Sequence, residues 1–134
     1  MTATDEQAIA VVAAVIERDD AFLLSLRPDG SHLAGHWEFP GGKVHDHETH
    51  TEALRRELFE ELDIVGEVGR LVHRVIHAYP EKTVELFFYR CEFAGEPKPM
   101  MGQQVRWVRR EELARLPFPE ADRQLISSLS GSVC

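Results

Sequence analysis

The sequence predicts an α+β domain, an α/β/α sandwich around a mixed central sheet, and three observations carry that prediction. Apolar runs of strand length occur at residues 8–16, 21–26, 69–79, 83–93 and 104–108, separated by turn residues. Two other segments, from about His50 to Leu62 and from Pro119 to Leu129, repeat apolar residues at helical spacing instead. Strands and helices alternate along the chain rather than falling into separate blocks, which suits helices layered on a sheet. A chain of 134 residues holds one core, so residues 1–134 are expected to form a single domain.

Ala8 to Ile16 (AIAVVAAVI) is apolar at successive positions, the pattern of a strand buried on both sides. Glu17-Arg18-Asp19-Asp20 reads as a turn and Ala21 to Leu26 as a second strand, so these two strands are expected to pair as a hairpin. Arg27 to Gly35 contains Pro28, Gly30 and Gly35 and reads as an irregular loop. Trp37-Glu38-Phe39-Pro40 is a short extended piece, ended by the proline and the Gly41-Gly42 pair. Thr49 followed three residues later by Glu52 is a capping-box signature that starts a helix at about His50. Ala53, Leu54 and Leu58 give that helix an apolar stripe, and Asp63, which tolerates a left-handed conformation, closes it after Leu62. Gly69 to Tyr79 and Thr83 to Phe93 are long strands joined as a hairpin through Tyr79-Pro80-Glu81-Lys82. Gly95 to Gly102 is a loop, Gln104 to Val108 a short strand, and Glu111 to Leu116 one or two helical turns. Pro119 to Leu129 closes the chain with Leu125, Ile126 and Leu129 on its apolar side.

Composition excludes several function classes. A net charge of −8 argues against a protein that wraps a nucleic-acid polymer, since such proteins carry basic stripes. An acidic protein still binds a polyphosphate when divalent metal screens its carboxylates. No apolar run reaches the roughly 18–20 residues of a membrane span, and MTATDEQ has neither the basic flank nor the apolar centre of a signal peptide. The expected setting is cytoplasmic, with no membrane partner. Cys91 and Cys134 make neither a disulfide framework nor a metal-ligand spacing, so Cys91 is expected to be buried and Cys134 frayed.

The polar chemistry concentrates between Gly41 and Ile64, in GGKVHDHETHTEALRRELFEELDI. On a helix Glu57, Glu60 and Glu61 are neighbours on one face, and each close like-charge pair costs about 0.2–0.5 kcal/mol. A cation is therefore expected beside them. Gly42, Glu48, Arg56, Glu57, Leu58, Glu60, Glu61 and Ile64 fall in register with one known pattern. It runs glycine, five residues, glutamate, seven residues, Arg-Glu, an aliphatic, any residue, Glu-Glu, any residue, glycine and an aliphatic. Only Asp63 departs from it, standing where the pattern has glycine.

In these residues the chain resembles the Nudix hydrolases, with the box at about residues 42–64. The resemblance implies a Nudix fold with a loop-helix-loop catalytic box, and hydrolysis of a phosphoric anhydride bond with magnesium, or manganese as a substitute. The chemistry suits the residues: magnesium takes oxygen ligands, screens anionic phosphate and lowers the pKa of bound water. Glycine at Gly41-Gly42 lets a backbone carbonyl come close to the ion. Carried over position by position, the family implies Glu57 as base or metal ligand, Glu60 and Glu61 as ligands, and the Gly41 carbonyl as a further one. Arg56 then orients the carboxylates beside the catalytic Glu57 and Glu60, while Glu48 supports the loop and serves an additional metal.

The resemblance extends to the MutT branch through Trp37–Lys43, the Tyr79-Pro80 turn, Arg106-Trp107-Val108 and the Pro119–Leu129 segment. That branch converts nucleoside triphosphates to monophosphate and pyrophosphate. It implies nucleotide contacts at Arg27, His32, Phe39, Tyr79, Lys82 and Asp122. Cations at Arg27 and Lys82 suit phosphate or base edges, and the rings of Phe39 and Tyr79 suit the faces of a base. MutT has asparagine where this chain has Asp122. Asparagine donates and accepts, matching O6 and N7–H of 8-oxoguanine, whereas an ionised aspartate only accepts and suits an edge of donors such as the cytosine amino group. A residue at the start of the last helix also suits a simple N-cap. Gln103-Gln104 stands where many relatives have a metal-binding glutamate, and glutamine is the weaker oxygen donor. His45, His47 and His50 lack the spacing of a zinc site and read as a solvated loop.

The expected function is magnesium-dependent release of pyrophosphate from 8-oxo-dGTP, as in nucleotide-pool sanitation and DNA repair. A CTP or dCTP pyrophosphohydrolase, including one acting on 5-methyl-dCTP, is the alternative within the same chemistry, and a non-catalytic nucleotide-binding domain the alternative outside it. The partner is a small nucleotide, and the chain a monomer or homodimer.

Overall fold

The structure, a computed structural model, describes residues 8–30 and 34–131. Its centre is β1 (Ala8–Val15), a strand with no polar residue, which lies between two neighbours in one sheet. β1 runs parallel to β7 (Lys82–Glu92) and antiparallel to β5 (Gly41–Lys43), and β6 (Glu67–Tyr79) pairs antiparallel with the far side of β7. The order β5-β1-β7-β6 is the mixed sheet expected. A second, antiparallel sheet is built on β3 (Ala21–Leu26), with β8 (Gln104–Arg109) along one edge and β2 (Glu17–Arg18) and β4 (Trp37–Glu38) on the other.

The expected hairpin of the first two long strands is therefore corrected. β1 does not pair with β3; the chain leaves the first sheet at Ile16 and only the two-residue β2 turns back along β3. The reason is that both edges of β1 are taken, by β5 at Val11–Ala13 and by β7 along the whole strand, while its faces, with Val12, Ala14 and Ile16 on one side and Ala13 and Val15 on the other, are covered by other layers.

Those two faces define two cores. On one side Val12, Ala14 and Ile16 meet Ala53, Leu54, Leu58 and Leu62 of α1 (His50–Leu62), whose four apolar side chains are fully buried. On the other, Ala13 and Val15 join Phe22, Phe39, Phe88, Val108 and the Leu125 and Ile126 side chains of α2 (Arg123–Leu129). Helices thus cover both faces, as expected of an α/β/α sandwich.

Local sequence sets the ends of α1. The Thr49 hydroxyl accepts from the Glu52 N–H and the Glu52 carboxylate accepts from the Thr49 N–H, a complete capping box. Asp63 closes the helix in the left-handed conformation at φ 57°, ψ 41°. The β6–β7 hairpin closes on the pair Tyr79 and Lys82, as expected. The last segment differs in detail: Pro119 leads into a single 3-10 turn, Glu120–Asp122, and regular helix begins only at Arg123. Arg110–Arg115 is likewise 3-10. Cys91 is buried, and burial pushes its thiol up to about 12. No helix among the described residues is long and apolar enough to cross a membrane.

Candidate active site

Arg56 is the hub of the loop-helix unit. Its Nε and Nη2 donate to Glu48 at 2.6 and 3.0 Å, and Nη2 also reaches the Lys43 carbonyl at 3.0 Å. Nη1 donates to Glu57 at 3.0 Å and to Glu60 at 3.3 Å. Part of the cation that the glutamate face calls for is therefore the guanidinium one turn earlier. Glu48 accepts from the His45 N–H as well, and Arg56, followed by that N–H, holds its carboxyl down to about 2. Both oxygens of Glu48 are thus committed to tying the loop to α1.

Glu57 and Glu61 project toward the Gly41-Gly42 segment. A Cβ on Gly42 would overlap the Glu57 carboxyl, and one on Gly41 would overlap the Val12 carbonyl of β1. Two bare positions in β5 therefore let the strand run between β1 and the carboxylates. Glu61 is pushed up to about 9, first by burial and then by its hydrogen bond with Glu57 and the charges of Glu57 and Glu38; the Gly41 N–H pulls it back. Burial beside a second carboxyl disfavours the charged form of Glu61, and a positive charge placed there would favour it. Glu60 turns outward, with 54% of its side chain exposed. Among the described residues no three acidic, histidine or cysteine groups already surround a common point. The donors available at Glu57, Glu60 and Glu61 are all oxygens, which suits a hard divalent cation.

Beside this corner opens a cleft of about 300 Å³, lined by Arg27, Glu38, Phe39, Gly41, Glu61, Tyr79, Lys82 and Asp122. Five of the six expected nucleotide contacts therefore meet in one place, and His32 lies outside the described residues. Phe39 is 4% exposed, held edge-on to Phe88 and stacked on Phe118, so it forms a wall rather than a free platform. Tyr79 packs against His77 at 4.5 Å on the face of β6 that also carries His73 and Val75. Its hydroxyl is raised by burial and then by Asp122.

Asp122 occupies the N-cap position of α2 but makes no capping hydrogen bond. It is 4% exposed, and burial, with a smaller push from Glu38, raises its carboxyl to about 7. Burial thus favours the neutral acid over the accept-only carboxylate, and a neutral carboxyl both donates and accepts.

Sequence reasoning missed Glu38 and the contact that Gln103 makes. Glu38 sits in the cleft and pairs with Arg27 at 2.7 Å; burial raises its carboxyl while Arg27 opposes the shift. A carboxylate between the buried aromatics Trp37 and Phe39 was the available signal. Gln103 donates to the Glu61 carbonyl at 3.0 Å. Of the three histidines expected in a solvated loop, His50 instead opens α1, bonds the Tyr89 hydroxyl at 2.7 Å and tilts its ring against Phe87.

A family model described as the NUDIX domain matches residues 11–128. The chain is 39% identical over 127 residues to an 8-oxo-dGTP diphosphatase of Haemophilus influenzae, covering 93% of each. It is also 39% identical over 121 residues to a CTP pyrophosphohydrolase of Escherichia coli, covering 90% of each. Its fold is similar to the solution structure of the E. coli ORF135 protein, with a TM-score of 0.81 and 37% identity over 95% of this chain and 94% of that one. The crystal structure of a MutT protein from Methanosarcina mazei gives a TM-score of 0.81 and 28% identity over 91% and 92% of the two chains. With the glutamate helix, its arginine hub and the glycine pair in place, and a match across most of its length, the chain belongs to the Nudix domain family.

Proposed function

We propose that this Nudix hydrolase converts a nucleoside triphosphate to the monophosphate and pyrophosphate in a magnesium-dependent reaction, with 8-oxo-dGTP as its preferred substrate. The observation that carries the reading is the single cleft that holds Glu61 together with Arg27, Lys82 and the buried Asp122. A nucleoside triphosphate presents the matching parts: phosphates for the carboxylate-bound metal and the two cations, a base for Tyr79 and Asp122.

In this reading Glu57, Glu60, Glu61 and the Gly41 carbonyl hold magnesium, or manganese in its place. Bound there, the ion supplies charge neutralisation and a lowered pKa for the attacking water. Arg56 fixes the direction of Glu57 and Glu60, and Glu57 takes the proton from water that attacks the β-phosphorus. Glu48 holds the loop to α1 through Arg56. Arg27 and Lys82 take phosphate oxygens. Phe39 walls the base site while Tyr79 offers its ring to the base. The cytoplasm, where nucleotides are drawn on for DNA synthesis, is the setting that gives this reaction a use.

Asp122 bears on which base is taken. Its neutral carboxyl matches O6 and N7–H of 8-oxoguanine; its ionised form matches the amino group of cytosine. A value of about 7 keeps the first form available at neutral pH and supports oxidised guanine. The ionised fraction supports CTP or 5-methyl-dCTP as the second reading, in keeping with the E. coli CTP pyrophosphohydrolase among the relatives. Pyrophosphate release across a nucleotide panel tests this. A tenfold advantage in kcat/KM for CTP or 5-methyl-dCTP over 8-oxo-dGTP, about 1.4 kcal/mol in transition-state binding, replaces the first reading by the second.

A further inference from the structure

The last turn of an α-helix leaves carbonyls without partners inside the helix. In α1 these include Glu61 and Leu62, and the loop between β7 and β8 reaches back to fill them. The Lys98 N–H donates to the Leu62 carbonyl at 2.8 Å, and the Met100 N–H to the Glu61 carbonyl at 3.0 Å. The second lone pair of that Glu61 carbonyl is taken by Nε2 of Gln103, also at 3.0 Å. The oxygen of the same amide accepts from the Met101 N–H at 2.9 Å. Both ends of the Gln103 side chain are thus engaged, one on the helix that carries the carboxylates and one on the loop that caps it.

We propose that Gln103 is a positioning residue, a latch that fixes the final turn of α1 and so aims the Glu61 carboxylate at the metal site. The inference rests on the reading of Glu61 as a metal ligand. It gives the glutamine at this position a reason of its own. A carboxylate in place of the amide cannot donate to the Glu61 carbonyl, and two acceptors facing each other repel, so glutamine and glutamate do opposite work here. The amide is not a weakened metal ligand; it is the only side chain in the latch able to give to one backbone group while accepting from another.

The test uses the whole chain and two substitutions. Mn2+ binding, followed by loss of the free-ion EPR signal, reads the metal site without turnover. Amide hydrogen exchange at Lys98, Met100 and Met101 reads the latch itself. Gln103→Ala is expected to weaken Mn2+ binding about tenfold, the usual scale for outer partners of a metal ligand, and to speed exchange at those amides. Gln103→Glu is expected to do the same, to at least the same degree. In hydrolysis the two variants need more Mg2+ for half-maximal rate, while kcat at saturating Mg2+ falls less than about twofold. Tighter Mn2+ binding in Gln103→Glu overturns the proposal, because it shows position 103 facing the ion. Unchanged Mn2+ binding in Gln103→Ala overturns it too. If no nucleoside triphosphate is hydrolysed by the wild-type chain, the functional reading fails, and the binding and exchange measurements still decide the latch.

Discussion

The Glu57 carboxyl fills the space that a side chain on Gly42 would need: a Cβ built there stands 2.7 Å from Oε1 of Glu57. The neighbouring Gly41 is bare for a different reason, since its Cβ would come within 2.7 Å of the Ala13 Cα in β1. One glycine makes room for a carboxyl group and the other for a strand.

These two positions are expected to fail differently when filled. Gly42→Ala meets the flexible end of a side chain, so Glu57 swings away and kcat falls about 100-fold, the cost of misplacing a catalytic group by about 1 Å, with little change in Tm. Gly41→Ala meets backbone on both counts and is expected to lose about 2–3 kcal/mol of stability. Steady-state rates and thermal melts on the pair separate the two effects.

Glu57→Gln keeps the size of the side chain and its contact with Arg56 while removing the proposed base. Turnover is expected to drop by about 10²–10⁴, with the nucleotide Kd changed only a few-fold. Equilibrium binding beside single-turnover hydrolysis measures both. Undiminished turnover removes Glu57 from the mechanism, and a wild-type chain that binds nucleotide without hydrolysing it makes the protein a binding module.

Asp122 ties stability to pH. Its carboxyl moves from 3.8 to about 7 on burial, so between those values the folded chain binds a proton that the unfolded chain does not. The stability this group provides is fully present below about pH 4 and is lost as pH rises through 7. Asp122→Asn has no such group to ionise. The stability of the variant relative to wild type is therefore expected to improve by up to about 4 kcal/mol between pH 4 and pH 8. Urea unfolding at the two pH values gives the difference.

The same proton bears on the choice of base. As pH rises from about 6 to 8 the neutral Asp122 carboxyl gives way to the carboxylate, and the kcat/KM ratio of 8-oxo-dGTP to CTP is expected to fall about 100-fold, about tenfold from each substrate. In Asp122→Asn the ratio is expected to stay flat across that range. A pH-independent ratio in the wild-type protein takes Asp122 out of base selection.

The parts of the molecule that were legible in the sequence are those set by neighbours in the chain. Thr49 and Glu52 announced the start of α1, Asp63 its left-handed end, and Glu57, Glu60 and Glu61 their common face, because helix geometry fixes what stands three and four residues away. The pairing of β1 was not legible. An all-apolar strand says that both faces are covered but not what takes its edges, and a turn at Asp19-Asp20 suits a hairpin whether eight residues enter it or two. The ionisation of Asp122 was out of reach for the same reason: it is set by burial and by Glu38, 84 positions earlier, not by anything beside it in the sequence. Gln103 could be seen as a departure from its relatives, whereas the carbonyl that explains it belongs to a helix some forty residues away.

The parallel pairing of β1 with β7 also has a history in time. Ala8 meets Thr83, so at the usual pace of synthesis, about 5–20 residues per second, the first strand leaves the ribosome roughly 4–15 s before its central partner exists. Through that interval AIAVVAAVI is an apolar ribbon whose β7 edge stays open, the kind of edge that invites wrong pairing. The β6–β7 hairpin, closed by a two-residue turn, forms within microseconds of its own arrival. Only when it docks can the newborn chain complete the sheet around β1, so the vulnerable period of this strand is its wait for β7.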